Sequence, residues 1–213
     1  MSRTAIRSCI ILCGGLSSRM GQDKGLMLFK NKPMVCNILD KVDNQMDEVL
    51  LVLRNDKQKQ EYRKILNHIY SVDNTSFNLK FLKDEIESQG PLSGIYTGLS
   101  HMESDYALVI PCDSPFISTY FIEKVYNVYE NSKENYDALI PFWGVKNNHH
   151  FEPLHGIYHK RSKKTIYFQL LKGKKDVKSL VKKLNTIFVE VSKLDPSLKS
   201  FKNFNRPEDV SKI

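Results

Sequence analysis

Apolar residues along this chain fall into short unbroken runs, separated by longer segments in which they recur every three or four positions. Residues 8–13 (Ser-Cys-Ile-Ile-Leu-Cys) form the first run, rich in β-branched residues, and predict a buried strand. Glu48–Leu53 and Tyr106–Pro111 predict two more, Leu79–Asp84 alternates like an edge strand, and residues 137–142 and 187–191 complete the set. The intervening segments have helical spacing. Pro33 follows an Asn31-Lys32 turn and opens a helix with Met34, Val35, Ile38, Leu39 and Val42 on one face. Residues 56–65 predict a charged, solvated helix, and Gly90-Pro91 marks the entry to another. Ser118 caps a helix whose face is Phe121, Ile122, Val125, Val128 and Tyr129. Residues 162–184 read as helical, and Pro207 opens a terminal helix. With 213 residues, 41% hydrophobic and 26% charged, the chain suits one α/β domain with a substantial core.

The first strand runs into a polar loop containing Gly14-Gly15, Arg19, Gly21 and Asp23-Lys24-Gly25. Glycines let a backbone turn with positive φ and bring its N–H groups near a ligand. Arg19 adds a cationic fork and Lys24 a point charge. Together they read as a phosphate cradle, although a basic strand-to-helix turn fits the bare residues too. The loop matches neither the P-loop spacing nor G-x-G-x-x-G.

The formal net charge of +8 is compatible with nucleic acid, a membrane surface or small anionic substrates. No basic motif interleaved with aromatic residues supports nucleic acid, and no stretch approaches transmembrane length. The run after Arg7 is too short for a signal sequence. Cys9, Cys13, Cys36 and Cys112 include no C-x-x-C pair, which points to reduced, mostly buried thiols in a cytosolic protein.

Two acids follow predicted strands. Asp84 by itself reads as a cap for the turn before Gly90-Pro91-Leu92-Ser93-Gly94. Asp113, in Pro-Cys-Asp-Ser-Pro, is either a helix cap or a carboxylate at the ligand-binding edge of a sheet, where it would hold Mg²⁺ against a triphosphate. His155 and His159 would share a strand face, but no acid or thiol at suitable spacing supports zinc. The adjacent His149 and His150 are expected in an exposed loop. The lysines among residues 172–183 read as a solvated helix face, with phosphate contact as the sharper alternative.

The pattern L-x-G-G-x-S-x-R-M-G-x-D-K, from Leu12 to Lys24, resembles the signature loop of the MobA-type nucleotidyltransferases, and within them the molybdenum cofactor guanylyltransferases. Gly90-Pro91-Leu92-Ser93-Gly94 is similar to the family's G-P-L-x-G, Pro111-Cys112-Asp113-Ser114-Pro115 to its P-C-D-x-P, Glu152-Pro153-Leu154 to its E/Q-P-L strand, and Asn203 to Asp209 to its N-x-N-T-P-E-D box. The chain departs from the pattern at Cys13 (usually Ala), Asn31 (Gly), Leu53 (often Asn, leaving Asn55 as a substitute) and Arg206 (Thr).

The resemblance implies a Rossmann-like three-layer αβα sandwich with a mostly parallel sheet and an antiparallel strand. It implies one domain over 1–213, with a nucleotide half to about 115 and an acceptor half beyond. It further implies GMP transfer from GTP to the terminal phosphate of molybdenum-molybdopterin with release of pyrophosphate. Leu12, Cys13, Gly14, Gly15, Lys24, Asn55, Asp84, Gly90, Gly94 and Asp113 would bind the nucleotide. Arg19, Lys24 and Asp113 would be catalytic, with Asp113 holding Mg²⁺, and Asn205 would return to the site. Molybdoenzymes or cofactor-delivery proteins are the implied further partners, with no nucleic acid and no membrane. The alternatives are a CTP-dependent pterin cytidylyltransferase, a sugar- or alditol-phosphate nucleotidyltransferase of the same fold, and a non-catalytic nucleotide-binding module.

Overall fold

The computed structural model describes residues 5–14, 23–69, 75–86, 90–144 and 150–204. Its strands are β1 (Ser8–Leu12), β2 (Leu28–Phe29), β3 (Lys32–Pro33), β4 (Glu48–Leu53), β5 (Asn78–Lys83), β6 (Tyr106–Pro111), β7 (Ala138–Trp143), β8 (His150–Phe151), β9 (Ile157–His159) and β10 (Thr186–Glu190). Its α-helices are α1 (Met34–Val42), α2 (Asp56–Ile69), α3 (Pro91–His101), α4 (Thr119–Glu130), α5 (Ser162–Leu171), α6 (Val177–Val181) and α7 (Val191–Leu194). The main sheet runs in the order β10-β7-β9-β6-β1-β4-β5, with β8 paired to β7. Neighbours are parallel except at β9 and β8, which run against the rest. This is the expected mostly parallel sheet with an antiparallel insertion.

The unbroken apolar runs have a direct cause. Strand residues alternate between faces, and here both faces are covered. Cys9 and Ile11 of β1 join one buried core with residues of α1, α2, α4 and α7. Ile10 joins the opposite core with residues of α3, α5 and α6. The result is a three-layer sandwich with β1 enclosed between β6 and β4.

The sequence expectations differ from the structure in four places. The helix expected over 162–184 is broken into α5 and α6. Gly173 takes φ +69°, its N–H donates to the Leu170 carbonyl, and Asp176 then caps α6 by accepting from Ser179 N at 2.7 Å. The strand expected around 152–159 is shortened, because Pro153–His155 forms a 3₁₀ turn. His155 and His159 therefore do not share a strand face. The last strand ends at Glu190, one residue early, where α7 begins. His150, expected in a loop, instead opens β8, whereas Pro33 stands at the start of α1 as expected and also pairs in β3. Asn31, in place of the family glycine, does adopt φ 60°, the left-handed conformation that Asn tolerates. His150 is exposed, whereas His149, Asn205 and the helix expected after Pro207 lie outside the described residues.

Candidate active site

Parallel α/β sheets bind ligands beyond the carboxyl ends of their strands, where loops diverge and backbone groups are free to face a ligand. In this sheet Leu12 is level with Val52 and Pro111, and Val52 with Leu82. Two residues further along each strand stand Gly14, Arg54, Asp113 and Asp84. The ladder continues beyond the strands, since Cys13 N donates to Val52 O (2.9 Å), Cys112 N to Leu12 O (3.1 Å) and Asp84 N to Leu53 O (2.7 Å). A side chain on Gly14 would begin 3.5 Å from Arg54 N. The sheet edge thus carries one row: Asp113 on β6, Gly14 on β1, Arg54 on β4 and Asp84 on β5.

A cavity of about 630 Å³ opens over this row. It is lined by Leu12, Cys13, Gly14, Lys24, Asp84, Gly90, Gly94 and Asp113 among the residues expected from sequence. Gly15 and Arg19 lie outside the described residues. Asn55 is a different case, because it does not line the cavity. Its Oδ1 accepts from Gln58 N at 2.9 Å and so caps α2, while its neighbour Arg54 faces the cavity.

Lys24 meets Asp113 directly, Nζ to Oδ2 at 2.8 Å, with both side chains partly buried. The chain holding Lys24 is fixed by Asp23. One oxygen of Asp23 accepts from Gly25 N (3.0 Å) and the Tyr62 hydroxyl (2.5 Å), and the other from Gln58 Nε2. Gln58 also donates to the Cys13 carbonyl at 2.8 Å, which ties the two ends of the glycine loop to α2. Burial holds the Tyr62 hydroxyl protonated, well above its ordinary pKa. Gly25 is required here, since a Cβ would stand 2.2 Å from the Tyr62 hydroxyl and 3.2 Å from Cys112 Cβ. Gly25→Ala is expected to destabilise the fold by about 1–3 kcal/mol through overpacking. Urea denaturation checks this, and Tyr62→Phe, which removes the clashing oxygen, should recover part of the loss. An unchanged midpoint for Gly25→Ala would contradict the packing.

Asp84 acts partly as the cap expected from the bare sequence. Its Oδ1 accepts from Thr97 Oγ1 (3.0 Å) and Ile86 N (3.3 Å), and its Oδ2 from Ser93 Oγ (2.7 Å). A carboxylate offers about four acceptor positions, so one remains for a ligand donor. Gly90 enters α3 at φ +73°, and Gly94 lets that helix close on the sheet, since a Cβ there would stand 2.8 Å from Leu12 Cδ2. Cys112, beside Asp113, is a buried thiol. Its hydrogen bond with Cys13, and then burial, push its pKa up, so it stays protonated.

Four cavity residues escaped the sequence reading or were only grazed by it. Arg54 carried no motif, and Leu154 stood in the E/Q-P-L match with no site role assigned to it. Lys175 was one cation within a basic run, and residue 175 is brought to the cavity by the turn between α5 and α6. Among the described residues of the C-terminal box, Asn203 lines the cavity. Its Oδ1 accepts from Ser114 Oγ at 2.9 Å, Ser114 Oγ lies 3.0 Å from His155 Nε2, and Phe204 N donates to the Asp113 carbonyl at 2.8 Å.

His155 is fully buried between the rings of Phe121 and Phe201, and burial lowers its pKa from 6.5 to about 4. Glu152 stands 4.0 Å from Nδ1, beyond hydrogen-bond reach, and its Oε1 accepts from Trp143 Nε1. The unfolded chain therefore binds this proton more readily than the folded one. The stabilisation is complete above pH 6.5 and is lost as pH falls from 6.5 towards 4, by up to about 3 kcal/mol. Urea midpoints across that window should fall more steeply in the native protein than in His155→Gln, and parallel profiles would contradict the assignment.

Residues 9–187 match the model of the MobA-like NTP transferase domain. The chain belongs to this family. A probable molybdenum cofactor guanylyltransferase of Methanothermobacter thermautotrophicus is 37% identical over 203 residues, covering 95% of this chain and 96% of the relative. The molybdenum cofactor guanylyltransferase of Vibrio campbellii is 31% identical over 97% of this chain and 94% of its own. The crystal structure of molybdopterin-guanine dinucleotide biosynthesis protein A from Archaeoglobus fulgidus shares the fold, with a TM-score of 0.77 at 24% identity over 97% of this chain and 96% of that one. MobA-like membership makes nucleotidyl transfer the class of reaction. No helix among the described residues is long and apolar enough to cross a membrane.

Proposed function

We propose that this MobA-like chain transfers GMP from GTP to the terminal phosphate of molybdenum-molybdopterin, giving the guanine dinucleotide form of the cofactor and pyrophosphate. One observation carries the reading. The Lys24–Asp113 pair, Gly14 and the Asp84–α3 corner share one cavity along one sheet edge, in a chain 37% identical to a probable enzyme of that name.

The nucleotide half, to about residue 115, contributes the row at the sheet edge, and the acceptor half contributes Leu154, Lys175 and Asn203. An oxygen of the acceptor phosphate attacks the α-phosphorus of GTP. The bond from that phosphorus to the β-phosphate oxygen breaks, and pyrophosphate carries the electron pair away. The attacking phosphate is already ionised near neutral pH, so no general base is assigned. Positioning and charge compensation carry such a reaction. Lys24 meets the phosphate charge as it develops, with Arg19 as a second cation from the loop. Leu12, Cys13, Gly14 and Gly15 bring backbone to the phosphates and ribose, and Gly90, Gly94 and Asp84 face the nucleoside.

Asp113 fits Mg²⁺, because it offers a hard oxygen donor beside the phosphate loop, and this ion takes one or two carboxylates together with substrate phosphates. Among the described residues no group of three metal-binding side chains surrounds it, so further ligands would come from the substrate. Bound there, the ion would neutralise charge on the phosphate oxygens.

Thermal denaturation with Mg²⁺ tests base choice. GTP is expected to raise the midpoint more than CTP or ATP. A site built around specific donors and acceptors rejects a base that leaves them unpaired. Equal stabilisation by all three, or preference for CTP, would overturn the guanylyl reading.

A further inference from the structure

We propose that Arg54 reads the acceptor edge of the guanine base, O6 and N7, and thereby determines base choice; this deepens the guanylyl-transfer reading and rests on it. Its place in the row gives the first reason. The phosphates belong at Asp113 and Lys24, on β6 and the loop after β1. Arg54 stands two strands away on β4, roughly 10 Å along the edge at the usual strand spacing. A nucleotide extended along that edge lays its ribose over Gly14 and its base over β4.

The surroundings suit a flat ring. Leu12, Val52, Pro91 and Gly94 line the cavity, and a Cβ on Gly94 would stand 2.8 Å from Leu12 Cδ2 and 3.7 Å from Val52 Cγ1, so its absence brings α3 down onto the strands that lead to Gly14 and Arg54. An aromatic base gains from such an apolar floor, provided that its polar edge is met.

Arg54 is the group positioned to meet it. Its backbone N donates to Gln58 Oε1 at 2.6 Å, which fixes the main chain, and its Cβ would stand 3.8 Å from a Cβ on Gly14. The side chain is half-buried at the cavity, yet among the described residues its guanidinium has no ion pair or hydrogen bond. A partly desolvated guanidinium, with five donors and no acceptor, calls for paired acceptors from a ligand. Guanine O6 and N7 match the guanidinium fork, whereas adenine and cytosine turn an amino donor towards it. Asp84, one strand further on, keeps one acceptor position for a guanine N–H or a ribose hydroxyl.

The test is calorimetric binding of GTP, 7-deaza-GTP (carbon in place of N7), ATP and CTP, with Mg²⁺, to the native protein, Arg54→Ala and Arg54→Lys. The lysine variant keeps the stem and charge but loses the fork, so it serves even if the alanine variant folds poorly. The native protein should bind 7-deaza-GTP about tenfold more weakly than GTP. In both variants GTP should weaken by a similar factor and the GTP to 7-deaza-GTP ratio should fall towards one. A ratio that survives in the variants, or no penalty for 7-deaza-GTP in the native protein, would overturn the assignment. Equal weakening of GTP, ATP and CTP would overturn it too and place Arg54 on the phosphates. Native preference for GTP is read separately: if it is missing, guanylyl transfer fails, and if it is present while the ratio survives substitution, only Arg54 fails.

Discussion

Asp113→Asn is expected to lower guanylyl transfer by about a hundredfold or more, on the order of the cost of losing one stabiliser of the developing negative charge, because the carboxylate would hold the cation that supplies it. The variant should also need more Mg²⁺ for half-maximal rate, because a neutral amide is a poor ligand for a hard cation. The fold should survive. The Asp113 backbone stays anchored through the Phe204 N–H at 2.8 Å, and the side chain's partner, Lys24, is itself partly exposed. A Mg²⁺ titration of the initial rate decides the matter. An unchanged midpoint together with an unchanged rate would show that the metal is held elsewhere.

Lys24→Ala is expected to remove about two to three orders of magnitude from the rate, comparable with removing one preorganised donor from a developing anion. Stability should change little. The Lys24–Asp113 pair is only partly buried, and such pairs contribute no more than about 1 kcal/mol. The segment itself is held by Asp23, through Tyr62, Gln58 and Gly25 N, rather than by Lys24. Initial rates beside circular dichroism and a urea midpoint separate the two effects. Near-normal turnover would remove Lys24 from the chemistry, and a collapsed midpoint would make its role structural.

These predictions rest on residues that the sequence exposed well. Strand-then-glycine at Leu12–Gly14 and strand-then-acid at Asp113 are local signals, and the parallel sheet turns them into neighbours because both strands end at the same level. The sheet itself was legible for the same reason, as continuous apolar runs are what strands covered on both faces require. Arg54 was not legible. Nothing within its own segment distinguishes it, and only the β1–β4 register sets it beside Gly14. Asn55 misled in the opposite direction, since the backbone of α2 uses its side chain as a cap. The break after α5 could have been read from Gly173 and Asp176, a stop signal followed by a cap, but the apolar spacing on either side hid it. Asp84 is the turn cap that its bare sequence suggested, because Ile86 N, Ser93 Oγ and Thr97 Oγ1 take three of its acceptor positions.

The measurement that bears most directly on the account is pyrophosphate release from GTP, CTP and ATP by the full-length protein, with Mg²⁺, in the presence and absence of molybdenum-molybdopterin, with the pterin product analysed by mass. The account predicts release that requires the pterin, is fastest with GTP, and matches one GMP added per pyrophosphate formed. Pterin-dependent release with CTP in preference to GTP, or no nucleotidyl adduct with any of the three, would contradict it.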